Sequence, residues 1–380
     1  MQRLRFWENG RVDFDFSDDQ KLLKEQVGRF LREKCPLTVA RRVLEGNETH
    51  AVDVWQGLAD LGALGVAVPE AYGGMGLGAL ELCVIAEEVG RSCAPVPFQS
   101  SVCLATEAVS RFGSDAQKSH WLPKLVAGTA IGTLAVAEAK SSSSLQPAAT
   151  VTGDKLTGIK TPVLDGEAAH FAVVLAGGTG GVSLALVDLG GAGVSRRRLD
   201  TIDPTRKMAE ITFNGARAEL LGARGEGARI LEDLHNGAAV LTAFEQIGGA
   251  EAALYMARDF ALERHAFGRQ IGSFQAIKHK LADAYIKIEL ARSNAYYGAM
   301  MLASRGADLP LAAAAARVAA TEAYEYAAKE NIQTHGGIGF TWEADPQLHY
   351  RRSRLLALSM GSATAWRNKL VGALEKRNSI

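Results

Sequence analysis

Three groups of residues have types and spacings suited to chemistry. The first is a carboxylate. Between Ala238 and Leu254 the only ionisable residues are Glu245 and Glu251, and helical spacing puts Glu245 on one face with Leu241, Gly248, Gly249 and Ala252. A carboxylate on an apolar face flattened by glycines is desolvated, which raises its pKa towards working pH and suits a general base for a weakly acidic proton. A solvent-facing or salt-bridged glutamate fits the same pattern. The second group is Glu263-Arg264-His265-Ala266-Phe267-Gly268, followed by Ile271-Gly272-Ser273-Phe274-Gln275. Here Arg264 closes a helix, where the dipole favours a cation, and two glycine turns lead into the next helix. The third is Gln333-Thr334-His335-Gly336-Gly337-Ile338-Gly339-Phe340-Thr341, where a helix stops at a glycine pair that lets another molecule approach the backbone. Taken singly, each of the last two is also explained as a helix end.

The elements that must position these residues follow from periodicity. Leu22, Leu23, Val27, Phe30 and Leu31 share a helical face, and Ser17 with Gln20 makes a capping box at its start. Further helical patterns cover about 51–62, 79–90, 101–112 and, opened by Ser114 with Gln117, 115–126. From 130 to 220 the texture changes to short β-type runs such as Phe171–Leu175, Val182–Val187 and Met208–Phe213, punctuated by glycine turns. Helical spacing returns near 225–263, 274–304, 310–334 and 361–375, with short connections that favour antiparallel neighbours in a bundle. The expected fold class is α+β multidomain: an N-terminal helical domain over 1–129, a middle β-sandwich or barrel-like domain over 130–220, and a C-terminal four-helix bundle over 221–380.

Composition removes several classes of function. The 380 residues, enough for two or three domains, carry 42 Lys plus Arg against 42 Asp plus Glu, a net charge of zero. That balance argues against nucleic-acid binding and against a polybasic membrane-surface protein. The N-terminal stretch is too polar for a signal peptide and no apolar run reaches membrane-span length, so the expected location is cytoplasmic. Cys35, Cys83, Cys93 and Cys103 form no CxxC pair and the eight histidines are scattered, so neither a metal nor a disulfide framework is expected. Arg196–Arg198 and the Tyr350-Arg351-Arg352-x-Arg354 run read as solvated charge.

Four spaced motifs in register carry a resemblance. Pro69-Glu70-x-x-Gly73-Gly74-x-Gly76, Ser114-x-x-Gln117-Lys118-x-x-x-Leu122-Pro123-x-Leu125, Arg264-x-x-Phe267-Gly268 with Phe274-Gln275, and Gln333-x-x-Gly336-Gly337-x-Gly339-Phe340-Thr341 together resemble the acyl-CoA dehydrogenase family. The resemblance runs from Phe16 to about Leu374 and has the same α–β–α order. It implies FAD as cofactor, removal of hydrogens from Cα and Cβ of an acyl-CoA thioester to leave a trans double bond, and an electron-transfer flavoprotein as acceptor. By position, Arg264, Phe267 and Gln275 match residues that hold the FAD diphosphate and adenine of a neighbouring subunit. Gln333 and Gly337 match residues that contact FAD from the other side of a subunit interface. The backbone of Val136 and Ala137 is expected at the isoalloxazine ring and Ser143 at the pantetheine. A shared site implies an oligomer, a homodimer or tetramer or an α2β2 assembly with a second acyl-CoA dehydrogenase chain.

Departures from the family pattern bear on the base. Ala137-Glu138-Ala139-Lys140-Ser141-Ser142-Ser143-Ser144 stands where the family has Thr-Glu-Pro-x-x-Gly-Ser-Asp, and Pro162-Val163-Leu164 stands for Trp-x-Thr. The two common positions of the catalytic Glu fall at Met360 and Ala238. The Glu245-Gln246-x-Gly248-Gly249 pattern looks like a subgroup, including enzymes of bulky or steroid-side-chain thioesters, whose base lies on this helix. The resemblance thus implies Glu245 as base, with Gly248 and Gly249 clearing space for a branched, cyclic or bulky acyl group. Two alternatives stay open: a non-catalytic or half-active subunit of a heteromeric enzyme, and a family relative with altered chemistry such as an oxidase or a desulfinase.

Overall fold

The computed structural model describes residues 16–139 and 146–378. The first helix, α1 (Asp18–Lys34), starts at a closed capping box: Ser17 Oγ accepts the Gln20 N–H, and Gln20 Oε1 accepts the Ser17 N–H at 2.9 Å. That exchange satisfies two donors a helix start leaves orphaned. There follow α2 (Leu37–Glu45), α3 (Val52–Asp60) and α4 (Ala79–Arg91). A π-helical stretch, Phe98–Thr106, then runs into α5 (Glu107–Phe112). The last helix of the domain, α6 (Asp115–Val126), repeats the capping box with Ser114 and Gln117. Its Gln117 also reaches across to donate to the Leu220 carbonyl, pinning the helix to the β domain.

Eight strands follow: β1 (Gly132–Ala135), β2 (Thr150–Thr152), β3 (Lys155–Val163), β4 (Phe171–Gly178), β5 (Gly181–Asp188), β6 (Val194–Leu199), β7 (Met208–Arg217) and β8 (Glu219–Leu221). All are hydrogen-bonded into one sheet, in the order β6-β7-β3-β2-β4-β5-β8, with β1 added parallel to β4. Phe171–Ala176 is an uninterrupted buried run because β4 has neighbours on both faces.

The C-terminal part opens with α7 (Gly227–Glu263). A small hairpin, β9 (His265–Ala266) with β10 (Arg269–Gln270), turns the chain into α8 (Gln275–Ser304), followed by α9 (Leu309–His335), α10 (Pro346–Leu358) and α11 (Ala363–Asn378). Ala312–Ala328 supplies a seam of small buried residues along α9 that lets its neighbours approach closely. Among the described residues no helix is long and apolar enough to cross a membrane, and no three His, Cys, Asp or Glu side chains converge as metal ligands. All four cysteines are buried thiols.

The central helix α7 faces all three parts of the molecule. It crosses α4 at a reciprocal glycine contact: a Cβ on Gly248 would stand 1.9 Å from the Glu87 carbonyl oxygen, and one on Gly90 would stand 1.8 Å from that of Glu245. Backbone meets backbone there, and no side chain of any size fits.

Candidate functional site

Glu245 is buried at the junction of the three domains, 1% exposed. Its surroundings differ from the apolar face read from helical spacing. Arg206, from the loop between β6 and β7, and Arg352, from α10, each bring a guanidinium nitrogen to 3.8 Å of Glu245 Oε1. Arg206 donates to both oxygens of Asp165, at 2.9 and 2.5 Å, and Asp165 also accepts from Ser100 Oγ. Arg352 donates to Asp203, to Thr205 and to the Ala94 carbonyl. A third buried guanidinium, Arg317 of α9, donates to Gln246, Leu356 and Ser359. Burial raises the Glu245 carboxyl above its ordinary value, and the positive charge of Arg206, Arg352 and Arg317 works against the rise. Glu245 Oε1 and Arg206 Nη1 are both buried without a hydrogen-bond partner.

Two expectations on α7 are corrected. Gly248 does not clear space for a ligand, because the volume its missing side chain leaves is filled by the α4 backbone. Gly249 faces the Tyr324 ring, whose nearest atom would stand 2.5 Å from an added Cβ. Both glycines serve helix packing, and the bulky acyl group inferred from them loses its support. Arg352, read as solvated, is fully buried. The arginines at 206, 317 and 352 carry no periodic signal because polar or ionic partners distant in sequence hold them in the interior.

The other two groups meet at one end of the bundle. The Phe260 ring stacks on His335 with centroids 4.1 Å apart, bringing the end of α7 beside the end of α9. Arg264 and Gln275 are exposed, and neither side chain bonds to any described residue of the chain. Phe267 is 94% exposed, lies nearly perpendicular to the Phe274 ring with centroids 6.2 Å apart, and has a left-handed backbone, φ 52°. A bulky residue in that conformation is strained by about 1–2 kcal/mol, with almost no burial in this chain to offset it. Gln333 and Gly337 lie on the same open edge. A Cβ on Gly337 would meet nothing within 4 Å, and its φ lies outside the left-handed range. Neither strain nor crowding within the chain calls for glycine there. A free guanidinium, an outward-turned aromatic ring and an open backbone fit a diphosphate and a heteroaromatic ring approaching from outside, as FAD has.

This edge is not brought together with Glu245. Nineteen positions along α7 separate Arg264 from Glu245, roughly 28 Å at 1.5 Å per residue. Val136, half-buried, and Ala137, exposed, continue from β1. The Val136 carbonyl accepts from the buried Lys160 ammonium, and the Ala137 carbonyl accepts from the Thr161 N–H. Lys160 also pairs with Glu138 at 2.6 Å, and Glu138 in turn accepts the N–H groups of Ala148 and Ala149. Thr133 Oγ1 donates to the Leu164 carbonyl, which places the Pro162-Val163-Leu164 segment beside β1 and immediately before Asp165. Ser143 lies outside the described residues. At the two usual base positions, Met360 is half-buried with φ 62° and Ala238 is buried, so neither carries a carboxylate.

The helical–β–helical order and the open edge at the end of the bundle are placed in a family by comparison with known proteins. Residues 17–129 match the N-terminal domain and 225–373 the C-terminal domain of acyl-CoA dehydrogenases. Acyl-CoA dehydrogenase IpdE2 of Mycobacterium tuberculosis is 30% identical over 339 residues, 88% of this chain and 91% of that protein. The ChsE4–ChsE5 complex from Mycobacterium tuberculosis superposes with a TM-score of 0.88 at 28% identity, covering 96% of this chain and 99% of the other. Butyryl-CoA dehydrogenase from Megasphaera elsdenii gives 0.87 at 26% identity, covering 95% and 99%. The chain belongs to the acyl-CoA dehydrogenase family: it is an oxidoreductase that uses FAD.

Proposed function

We propose that the chain works in the α,β-dehydrogenation of an acyl-CoA thioester to a trans-2-enoyl-CoA, in the cytoplasm, at an FAD held between subunits. The observation that carries the reading is the outward edge of the bundle, where Phe267 is almost fully exposed and the Arg264 and Gln275 side chains bond to no described residue of their own chain. In this reading the Arg264 guanidinium holds the diphosphate through paired, charge-assisted hydrogen bonds. Phe267 and Gln275 face the adenine, and Gln333 and Gly337 meet the cofactor from across the interface. The Val136 and Ala137 N–H groups serve the isoalloxazine, and the pantetheine role of Ser143, outside the described residues, rests on the resemblance alone. FAD in such a site supplies the acceptor for the hydride leaving Cβ. Leu61, Met75 and Leu77 stand exposed around the glycine-rich loop of the N-terminal domain, an apolar patch suited to docking an electron-transfer flavoprotein.

The neighbouring subunit is a second copy or a different acyl-CoA dehydrogenase chain; the structurally similar ChsE4–ChsE5 complex is named for two different chains. The absence of a carboxylate at Met360 and Ala238 supports the mixed assembly. Expressing the chain alone and then with a second acyl-CoA dehydrogenase chain, and measuring bound FAD each time, tests this. Flavin gained only in the mixed assembly supports two kinds of subunit; a full complement of FAD in the chain alone supports a homo-oligomer. A second reading keeps the base on Glu245, favoured by its buried and unbonded Oε1.

A further inference from the structure

We infer that Lys160, buried on β3, is a positioning residue for the flavin ring: its ammonium fixes and polarises the Val136–Ala137 peptide, so that the Ala137 N–H is held outward as a strengthened donor. The inference rests on the FAD site proposed above and names the group that sets its ring contacts.

β3 buries a charge where it could have buried hydrocarbon. Lys160 is 0% exposed, whereas its neighbour Ile159 is 49% exposed. An ammonium taken out of water is costly unless it is paired, and a local inversion of this kind marks a functional position. Lys160 Nζ is satisfied by Glu138 Oε1 at 2.6 Å and by the Val136 carbonyl at 3.1 Å. Glu138 also accepts the N–H groups of Ala148 and Ala149, at 2.7 and 3.0 Å, so its carboxylate is turned into the chain. Burial pulls the Lys160 ammonium below its ordinary value, and Glu138 works against that fall. Burial pushes the Glu138 carboxyl up, but Lys160 and the two N–H groups outweigh it and hold it below its ordinary 4.5. The carboxylate is therefore ionised at neutral pH.

In a trans peptide the C=O and the N–H point in opposite directions. The Val136–Ala137 bond is trans, and its carbonyl is directed at the buried ammonium. The N–H of the same peptide, that of Ala137, is therefore directed away from Lys160, and Ala137 is exposed. No described residue accepts that N–H. The next peptide is held as well, because the Ala137 carbonyl accepts the Thr161 N–H at 2.9 Å. A bond from an ammonium to a carbonyl is charge-assisted and polarises the peptide, which strengthens its N–H as a donor. Side-chain identity at 137 does not enter, so an alanine serves there. One edge of an isoalloxazine ring carries carbonyl oxygens and gains negative charge on reduction. A fixed donor against that edge holds the ring and favours its reduced form.

The test uses the assembly that binds FAD and needs no turnover. Equilibrium dialysis of the apoprotein measures affinity for FAD and for ADP, which carries the diphosphate and adenine without the ring. A reference dye gives the flavin midpoint potential. Lys160→Met should weaken FAD about tenfold, the size of one charge-assisted hydrogen bond, leave ADP within about twofold, and make the potential more negative. Where that variant fails to fold, Lys160→Met with Glu138→Gln removes both buried charges together, and FAD should stay about tenfold weaker in it. A double variant with wild-type FAD affinity and potential would overturn the inference, since the pair would then serve packing alone. So would Lys160→Met with unchanged FAD binding, or with FAD and ADP weakened equally beside a lowered apoprotein unfolding midpoint. Wild-type protein that binds no FAD in any assembly would overturn the FAD site and this inference together. FAD bound and shifted in potential as described, yet bleached by no thioester, would overturn the dehydrogenase reading and leave the role of Lys160 standing.

Discussion

Single residues divide into those that hold the molecule together and those turned outward for something else. Gly248→Ala should destabilise the protein by about 3 kcal/mol or more in urea unfolding, because its Cβ would be driven into the Glu87 carbonyl and neither helix backbone can yield. A stability unchanged from wild type would mean that α4 and α7 are not in backbone contact. Arg264→Ala should behave in the opposite way. Its side chain bonds to nothing described in its own chain, so the unfolding midpoint of the apoprotein should not move. FAD affinity should fall roughly ten- to a hundredfold, the loss expected of a charge-assisted hydrogen-bond pair. Equilibrium dialysis of FAD against the two proteins measures it. The motif residues stood out as a set only through their resemblance, in type and order, to the acyl-CoA dehydrogenase family; each motif alone reads as a helix end. The arginines around Glu245 were not legible, since nothing in the spacing of Asp203-Pro204-Thr205-Arg206 reveals an ion pair made with residues far away in the chain.

At the scale of elements, α1, α4, α7 and α8 are tied by a second ionic group. The buried Glu87 meets Lys24 at 2.8 Å, Arg91 at 3.0 Å and Arg292 at 2.7 Å, and Glu251 joins the same two arginines. Burial pushes the Glu87 carboxyl up, but Lys24 and Arg292 outweigh it and hold the group below its ordinary 4.5. A carboxyl depressed in the folded state adds stability above its ordinary pKa and loses it as pH falls through the folded value. Unfolding free energy should therefore fall below about pH 4.5. Glu87→Gln should lose about 3 kcal/mol at neutral pH and show a flatter acid limb; an acid limb unchanged in that variant would show that Glu87 does not set the acid stability. Capping boxes made α1 and α6 readable to within a residue. No expectation covered α2, although its Ala40, Val43 and Leu44 share a buried face and the equally short α3 was read, and the arginines of α10 mask its buried face. The pattern over 101–112 is real, but its first part is a π-helix, which apolar spacing does not distinguish from an α-helix.

For the whole molecule, the α–β–α order was readable because periodicity changes sharply near 130 and again near 221. How the three parts pack was not, because that depends on the glycine crossing of α4 with α7 and on ion pairs between domains. Zero net charge fits a protein that holds an anionic cofactor with a few placed groups. If Leu61, Met75 and Leu77 dock the electron acceptor, Leu77→Glu should leave bleaching by thioester intact and slow electron transfer to an electron-transfer flavoprotein by about tenfold or more in stopped-flow measurements. Equal rates would place the docking surface elsewhere. The central claim is that an assembly containing this chain removes hydrogens from Cα and Cβ of an acyl-CoA at a bound FAD. Anaerobic titration of the purified, FAD-loaded assembly with a panel of acyl-CoA thioesters tests it most directly. The flavin absorbance should bleach on addition of at least one thioester, with a stoichiometric amount of enoyl-CoA formed. A flavin that dithionite bleaches but no acyl-CoA does would contradict the claim.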